Sequence, residues 1–525
     1  MNFEDIFRID SNSVVLVLGT FVVIYILLGI RARRLNPSRL PVFNDRKWFE
    51  FGYGKATKRY ISDPEGMLRS GFRHGADAFY LCTEAHFRLI LSPKYADVIG
   101  ADERFDLGKF VGEDFHEGIP GFEPIANIAL DSKVLQLAVK TKLARQTPKL
   151  VSPLSEEAGL ALERHLTDES GTKDLLNPRL IDAGGSNLKK KEWHQVYLRE
   201  TSSRIVGQIV SRVFLGDKDL CRDPAWLEIM HEFLENTFIA AHHLRRWPIP
   251  MRLIASRFMP SCQRVRVQLH KVMKYLEPLL YKKIDPETET SALIWIKEAS
   301  KGCAYDFATL QLTLSLASLD TSTDLLAKVL CDLSENPTLV NDIRKEIIEI
   351  VGTEGLTQAS LQRLYLLDSA MKESQRLRPL GYSNMERLAK ETVVLPDGLI
   401  IPKGTAIMVS ACHMMDSSVW PNGDTYDGYR FANLRNNAKN SLTSPYQLTS
   451  TSKDHMGFGH GKQACPGRHY AAIFNKIALC HIIMKYDFNV TLPEEGRVEL
   501  RGHNILPHSG IKMSIRRRQE EEISL

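Results

Sequence analysis

Residues 457–471, GFGHGKQACPGRHYA, impose the tightest local constraint in this 525-residue chain. Gly457, Gly459 and Gly461 precede Cys465, and Pro466-Gly467 follow it. Glycines at that density disfavour a helix or strand and let the backbone approach a flat cofactor closely. Proline fits the first turn of a helix, where its missing N–H has no bond to lose. Ile473, Ile477, Cys480 and Met484 then fall on one helical face. The pattern sets a sulfur at a helix N-terminus, where the macrodipole and free N–H groups favour a thiolate. A buried structural cysteine beside a glycine turn is the competing reading, and further residues must decide between them.

Composition narrows the surroundings. A chain with 43% hydrophobic and 25% charged residues is globular rather than fibrous or disordered. Its 68 Lys and Arg against 63 acids leave a net charge of +5, too mild for a nucleic-acid partner. The eight cysteines (82, 221, 262, 303, 331, 412, 465 and 480) form no CxxC pair, which argues against a disulfide scaffold or structural zinc and fits a reducing compartment.

Val14 to Ile30 is an uncharged run of 17 residues, thirteen of them Val, Leu, Ile or Phe. As a helix it is roughly 25 Å long, and Arg31, Arg33 and Arg34 can snorkel to the interface and complete a span. A cleaved signal peptide needs a basic start and a small-residue cleavage site; here Glu4, Asp5 and Asp10 precede the run. A buried core helix rarely sits at a terminus before a basic cluster. The reading is a signal anchor over 13–30, with 1–12 lumenal and a basic, Pro-rich linker over 31–45. The body, 46–525, then lies on the cytosolic side.

Helical periodicity dominates the body: 133–166, 194–214, 225–242, 262–284, 306–334, 338–351, 360–377 and 468–485. Strand signals are few. Residues 78–81 and 87–91 read as a hairpin, and 393–409 carries an Asp-Gly turn between apolar runs. Residues 432–455 read as an exposed loop, and 169–192 as a loop insertion. The fold class is mainly α: a large α domain with a minor β part, preceded by one transmembrane helix.

With Phe458, Gly461, Cys465 and Gly467 at fixed spacing, the cysteine loop resembles the haem-binding signature F-x-x-G-x-[R/H]-x-C-x-G of the cytochrome P-450 family. The resemblance implies haem b, held through its iron by the Cys465 thiolate, the axial ligand suited to O–O cleavage. Gln463 departs from the pattern, standing where Arg or His is usual; an amide can still donate to a haem propionate, without charge assistance. Two more constellations follow in order. Glu373 and Arg376 match E-x-x-R on an apolar helix, and Arg430 resembles the arginine that completes a structural triad. In LSLASLDTSTDLL, Ala317, Asp320 and Thr321 match [A/G]-G-x-[D/E]-T, with Ser318 in the glycine position. Asp320 and Thr321 are then the expected proton relay.

The likeness covers residues 46–515 and is strongest to fungal secondary-metabolism members of the family, such as those oxidising diterpenes and indole-diterpenes. It implies insertion of one oxygen atom from O2 into a hydrophobic, terpenoid-type intermediate. Electrons would come from NADPH through a flavoprotein reductase, at the endoplasmic reticulum membrane. It also implies substrate-lining segments at 105–125, 310–321 and 380–385. Lys133, Lys140, Lys142, Arg145 and Lys149 form a solvated basic face that could dock an acidic electron donor. A haem-thiolate isomerase or peroxide-using enzyme, and a non-catalytic membrane-anchored haem binder, remain as alternatives. The Asp320-Thr321 pair argues against both.

Overall fold

The computed structural model describes residues 19–20, 38–50, 52–129, 135, 138–166, 193–281, 291–300, 306–437, 444–501, 504–518, 523 and 525. The anchor segment 13–30, save Gly19 and Thr20, and the 169–192 insertion lie outside them. Among the described residues no helix is long and apolar enough to cross a membrane.

Eleven helices matter for the site. They are α1 (Leu107–Asp114), α2 (Ala144–His165), α3 (Leu198–Leu215), α4 (Pro224–Arg245), α5 (Ile249–Phe258) and α6 (Pro260–Tyr281), followed by α7 (Phe307–Ser334), α8 (Pro337–Glu354), α9 (Tyr365–Leu377), α10 (Arg430–Asn437) and α11 (Arg468–Lys485). Their ends follow local chemistry. Asp306 caps α7 by accepting the N–H groups of Ala308 and Thr309. Asp223 caps α4 with Pro224 at its first position, and Gly216 closes α3 in the left-handed region at φ 71°. Helix α7 is buried on nearly every side, and Leu312 and Leu326 lie in one core with Ile209, Trp226, Phe474 and Ile477. Truncating the fully buried Leu326 to Ala would cost about 2–5 kcal/mol.

A smaller sheet flanks this body. Its strands are β1 (Val42–Phe43), β2 (Ala78–Thr83), β3 (His86–Leu91), β4 (Phe105–Asp106), β5 (Ser383–Ala389) and β6 (Ala406–Ser410), in the order β1-β2-β3-β6-β5-β4. The expected hairpin is present, with Ala78 opposite Leu91 and Thr83 opposite His86. Val393–Val394 and Ile400–Ile401 pair around the Asp397-Gly398 turn.

Three sequence expectations change. Residues 194–197 leave the helical run and form a strand against Lys512–Arg517, a long-range pairing that local periodicity cannot reveal. The body begins before residue 46: β1 pairs in parallel with β2, and Ser38 bonds Ile400 through both its hydroxyl and the Ile400 N–H. The described residues of 432–455 do not form an exposed loop. The segment starts inside α10, Leu448, Ser444 and His455 are buried, and buried Lys372 donates to the carbonyls of Gln447 and Ser450.

Candidate active site

The Cys465 loop is closed by its own backbone. The Cys465 N–H donates to Phe458 O at 2.8 Å, and the Gly459 N–H to Met456 O at 2.8 Å. Gly459 and Gly461 have φ of 70° and 78°. A Cβ on Gly461 would stand 2.4 Å from Gly100 Cα, and one on Gly457 would stand 2.1 Å from Gln375 Oε1. Two of the three glycines therefore serve close packing against protein, against residues 96–101 and α9, where the sequence suggested only approach to a cofactor. A Cβ on Gly467 would lie 4.0 Å from Cys465 Sγ, so this residue borders the sulfur itself.

Of the described cysteines Cys465 alone is not buried. Burial around the sulfur pushes its thiol up from the usual range, opposed by the N–H groups of Gly467 and Arg468. A metal cation at Sγ reverses that balance and deprotonates the thiol outright.

Behind the loop the charged triad assembles. Glu373 and Arg376 are fully buried and bidentate, with Nε–Oε2 and Nη2–Oε1 both 2.8 Å. Arg376 Nη1 donates to Met414 O and Gly423 O, and Arg430 Nε donates to Glu373 Oε1 at 3.0 Å. The remaining Arg430 nitrogens hold Pro421 O, Asn422 O and Thr425 O. A buried ion pair persists when its other hydrogen-bonding groups are satisfied, and here they are.

An anionic flat cofactor needs a counter-charge at its edge, and the structure supplies one that sequence reasoning missed. Arg387, on the inward-facing side of β5, is 2% exposed, and its Nε and Nη2 have no hydrogen-bond partner. Burial holds its guanidinium down to about 10. A buried, half-satisfied guanidinium fits a carboxylate bidentately. Strand β5 borders the cysteine loop, since Asn384 Nδ2 donates to Met456 O at 2.6 Å. Gln463, by contrast, has both amide atoms engaged: Nε2 donates to Phe105 O at 2.6 Å and Oε1 accepts the Leu107 N–H at 2.8 Å. It ties the loop to β4 and α1 and leaves charge recognition to Arg387. The thiol, the glycine loop and this guanidinium fit haem.

Helix α7 opens only in its middle: Ala317 and Thr321 are exposed while the turns on either side are buried. Thr321 Oγ1 donates to Ala317 O at 3.1 Å and Ser318 Oγ to Leu314 O at 2.7 Å, back-bonds of the kind that bend helices. Asp320 points roughly 100° away from Thr321 around the axis. Burial pushes its carboxyl up; Arg199 and Arg501 oppose this and Glu235 of α4 adds to it. One turn further on, burial raises Asp324 to about 6 although Lys328 Nζ donates to its Oδ2 at 2.8 Å. Lys328 also holds Pro379 O and Ile505 O, and Asp324 Oδ1 has no hydrogen-bond partner. This acid column follows a D-x-x-x-D-x-x-x-K spacing that places Asp320, Asp324 and Lys328 along one helical face. Leu380, in the third lining segment, is 36% exposed. A groove of 1310 Å³ between α4 and α6, lined by Asp217, Asp223, Lys271 and Tyr275 among others, contains none of these residues.

A mostly helical body, a cysteine loop bordered by a charge triad and a central helix with an opening define a haem-thiolate protein. The comparisons with known proteins agree: the family model described as Cytochrome P450 matches residues 186–513. The chain is 37% identical to Cytochrome P450 monooxygenase adrA of Penicillium rubens, over 92% of this chain and 93% of the relative. It is 36% identical to Cytochrome P450 monooxygenase pyr3 of Aspergillus fumigatus, over 96% and 95%. The solved structure "Retinoic acid bound cyanobacterial CYP120A1" superposes with a TM-score of 0.61 at 16% identity, covering 88% of this chain and 96% of that one. The chain belongs to the cytochrome P450 family, among its fungal monooxygenases.

Proposed function

We propose that this monooxygenase inserts one atom of O2 into a hydrophobic, terpenoid-type secondary-metabolite intermediate. The second oxygen atom leaves as water, and the two electrons come from NADPH through a flavoprotein reductase. The observation that carries the reading is Cys465: partly exposed, closed in by Phe458 O, with the N–H groups of Gly467 and Arg468 at its sulfur. Haem, when bound, supplies the redox and oxygen-activating chemistry. Cys465 and Arg387 would hold it, with Phe458, Gly461 and Gly467 shaping the loop and Gln463 bracing it. Glu373, Arg376 and Arg430 fix the backbone behind it.

Protons come from the α7 side. The Thr321 hydroxyl faces the opening and can hand a proton inward. Asp320, kept closer to its neutral form by burial, can replenish it. Exposed Lys140, Arg145 and Lys149 offer a basic face to an acidic reductase. Single-pass anchoring in the endoplasmic reticulum membrane, with the body cytosolic, rests on the Val14–Ile30 run and its following arginines. Support also comes from exposed Ile249, Ile254 and Phe258 of α5 and Trp48, apolar surface suited to lipid.

Replacing the ligand tests the reading. Cys465→Ser keeps the volume but substitutes a hydroxyl that stays protonated at neutral pH. The reduced, CO-bound protein should lose its long-wavelength Soret band, and oxygenation should stop. Cys412→Ser and Cys480→Ser should keep the band. A Cys465→Ser protein that retained it would refute the assignment.

A further inference from the structure

Glu235, Phe238, Ile239, His242 and Arg245 fall on one face of α4 at three- and four-residue spacing. The Glu235 end lies close enough to Asp320 to act on its carboxyl. Phe238, Ile239 and His242 along the face are exposed. Ten residues on, roughly 15 Å along the axis, the face ends at Arg245 in a group of guanidiniums. Arg245 Nη2 pairs with Asp114 Oδ2 at 2.5 Å, and Arg88 pairs with the other oxygen of the same carboxylate. Arg252, on α5, has no carboxylate within ion-pair distance among the described residues. Its Nε donates to Trp247 O and its Nη1 to His116 Nδ1 at 3.2 Å, while His116 Nε2 donates to Ala241 O.

Of the three guanidiniums at this end, Arg252 is therefore the one without a carboxylate partner among the described residues. Asp114 is shared by two guanidiniums, while Glu113, whose carboxyl burial pushes up, and Glu117 lie nearby without pairing to Arg252. Burial, then the charges of Arg245 and Arg88, pull Arg252 below the usual arginine range, against Asp114 and Glu113. Nη2 of Arg252 and Nε of Arg245 have no partner among the described residues. The setting is apolar as well as cationic. Arg88 stacks over Phe110, Arg245 over Phe115, and Met251 and Leu253 flank Arg252 in the open.

We propose that this mouth recognises an acidic group on the substrate. Arg252, assisted by Arg245, binds a carboxylate at one end of an apolar body that lies along Phe238 and Ile239 of α4, its other end directed toward the middle of α7. The proposal deepens the monooxygenase reading and rests on it for the position of the reacting end. An apolar chain with an acid at its tip would also describe a lipid with an anionic head, so the experiment separates these sources.

The holoenzyme is titrated calorimetrically with abietic acid, an apolar tricyclic carboxylic acid, and with its methyl ester. Calorimetry needs no turnover. The Soret band of the reduced CO complex, read on the same preparations, tests the haem-thiolate reading separately. The acid should bind about ten- to a hundredfold tighter than the ester, the range of a charge-assisted hydrogen bond. Arg252→Gln should bring the ratio close to one, and Arg252→Lys should restore part of it. Equal binding of acid and ester, or a preference that survives both Arg252→Gln and Arg245→Gln, overturns the proposal. So does a third outcome: Arg252→Gln abolishing preference for phosphatidylserine over phosphatidylcholine vesicles while leaving the acid-to-ester ratio intact.

Discussion

Behind Cys465, Arg376 is wholly buried and its nitrogens reach Glu373, Met414 O and Gly423 O; Arg430 is nearly as deep and as fully bonded. On the substrate side, Arg252 is half-buried and keeps an Nη2 without a partner among the described residues. Both regions bury guanidinium groups, yet only the first satisfies them from within the chain. The backbone scaffold behind a cofactor that must sit in one pose is over-determined by the protein. A site that must admit and release a substrate keeps donors open, and gives up stability there to do so.

The comparison breaks most readily at Glu373. Glu373→Ala leaves two buried guanidiniums without their carboxylate, a loss of about 3–5 kcal/mol, a large share of a domain's whole stability. Denaturant titration should show the loss together with failure to retain haem; an unchanged midpoint would mean the triad is ornamental. Thr321→Ala should behave oppositely. Its hydroxyl only back-bonds within α7, so stability should move by less than about 0.5 kcal/mol. Product formed per NADPH should nevertheless fall by about tenfold or more, with peroxide released instead. A coupling ratio equal to that of the unaltered protein would remove Thr321 from the relay.

Acid offers a gentler probe of the over-determined side. Burial, then Lys485 and Arg517, hold His481 down to about 3 against an ordinary 6.5, and Ser155 Oγ lies 2.8 Å from its Nε2. Between those values the unfolded chain binds the extra proton and the folded one does not. The corresponding stability is fully present above the unfolded value and is lost as pH falls toward the folded one, at about 1.4 kcal/mol per pH unit. Urea midpoints taken between neutrality and about pH 5 should show this slope reduced in His481→Gln. The smallest effect is expected on α5: Ile254→Ser, at a site 61% exposed, should leave stability within about 0.5 kcal/mol. Binding to neutral lipid vesicles should weaken, and equal partitioning would argue against this face meeting lipid.

Much of the cofactor side was legible because its chemistry is local or apolar in context. Glu373 and Arg376 stand three apart among Leu366, Leu367, Met371 and Leu377, which announces a buried pair. Arg387 could not be found that way. It stands beside Glu386 in SNMERLA, an ordinary pair of charges, and only the folded strand reveals two nitrogens without partners. Residues 444–455 looked solvated because composition does not distinguish carbonyls facing water from carbonyls facing the Lys372 ammonium. The mouth was the least legible region. Arg88, Asp114, His116, Arg245 and Arg252 come from distant stretches of chain, and no spacing rule joins them.

The clamp between the cysteine loop and residues 97–107 has a consequence for the order of assembly. His460 meets Asp97, Lys462 meets Glu103, Gln463 holds Phe105 and Leu107, and Gly461 touches Gly100. The hydrogen-bonded partners are separated by 356 to 363 residues. Contacts that distant in sequence close late, because the entropy of the intervening loop must be met before they contribute. A ribosome releases the cysteine loop only after the segment it must grip has long since emerged. The iron ligand is therefore among the last features to take shape, and haem capture becomes a check on the completed chain rather than a nucleus for it.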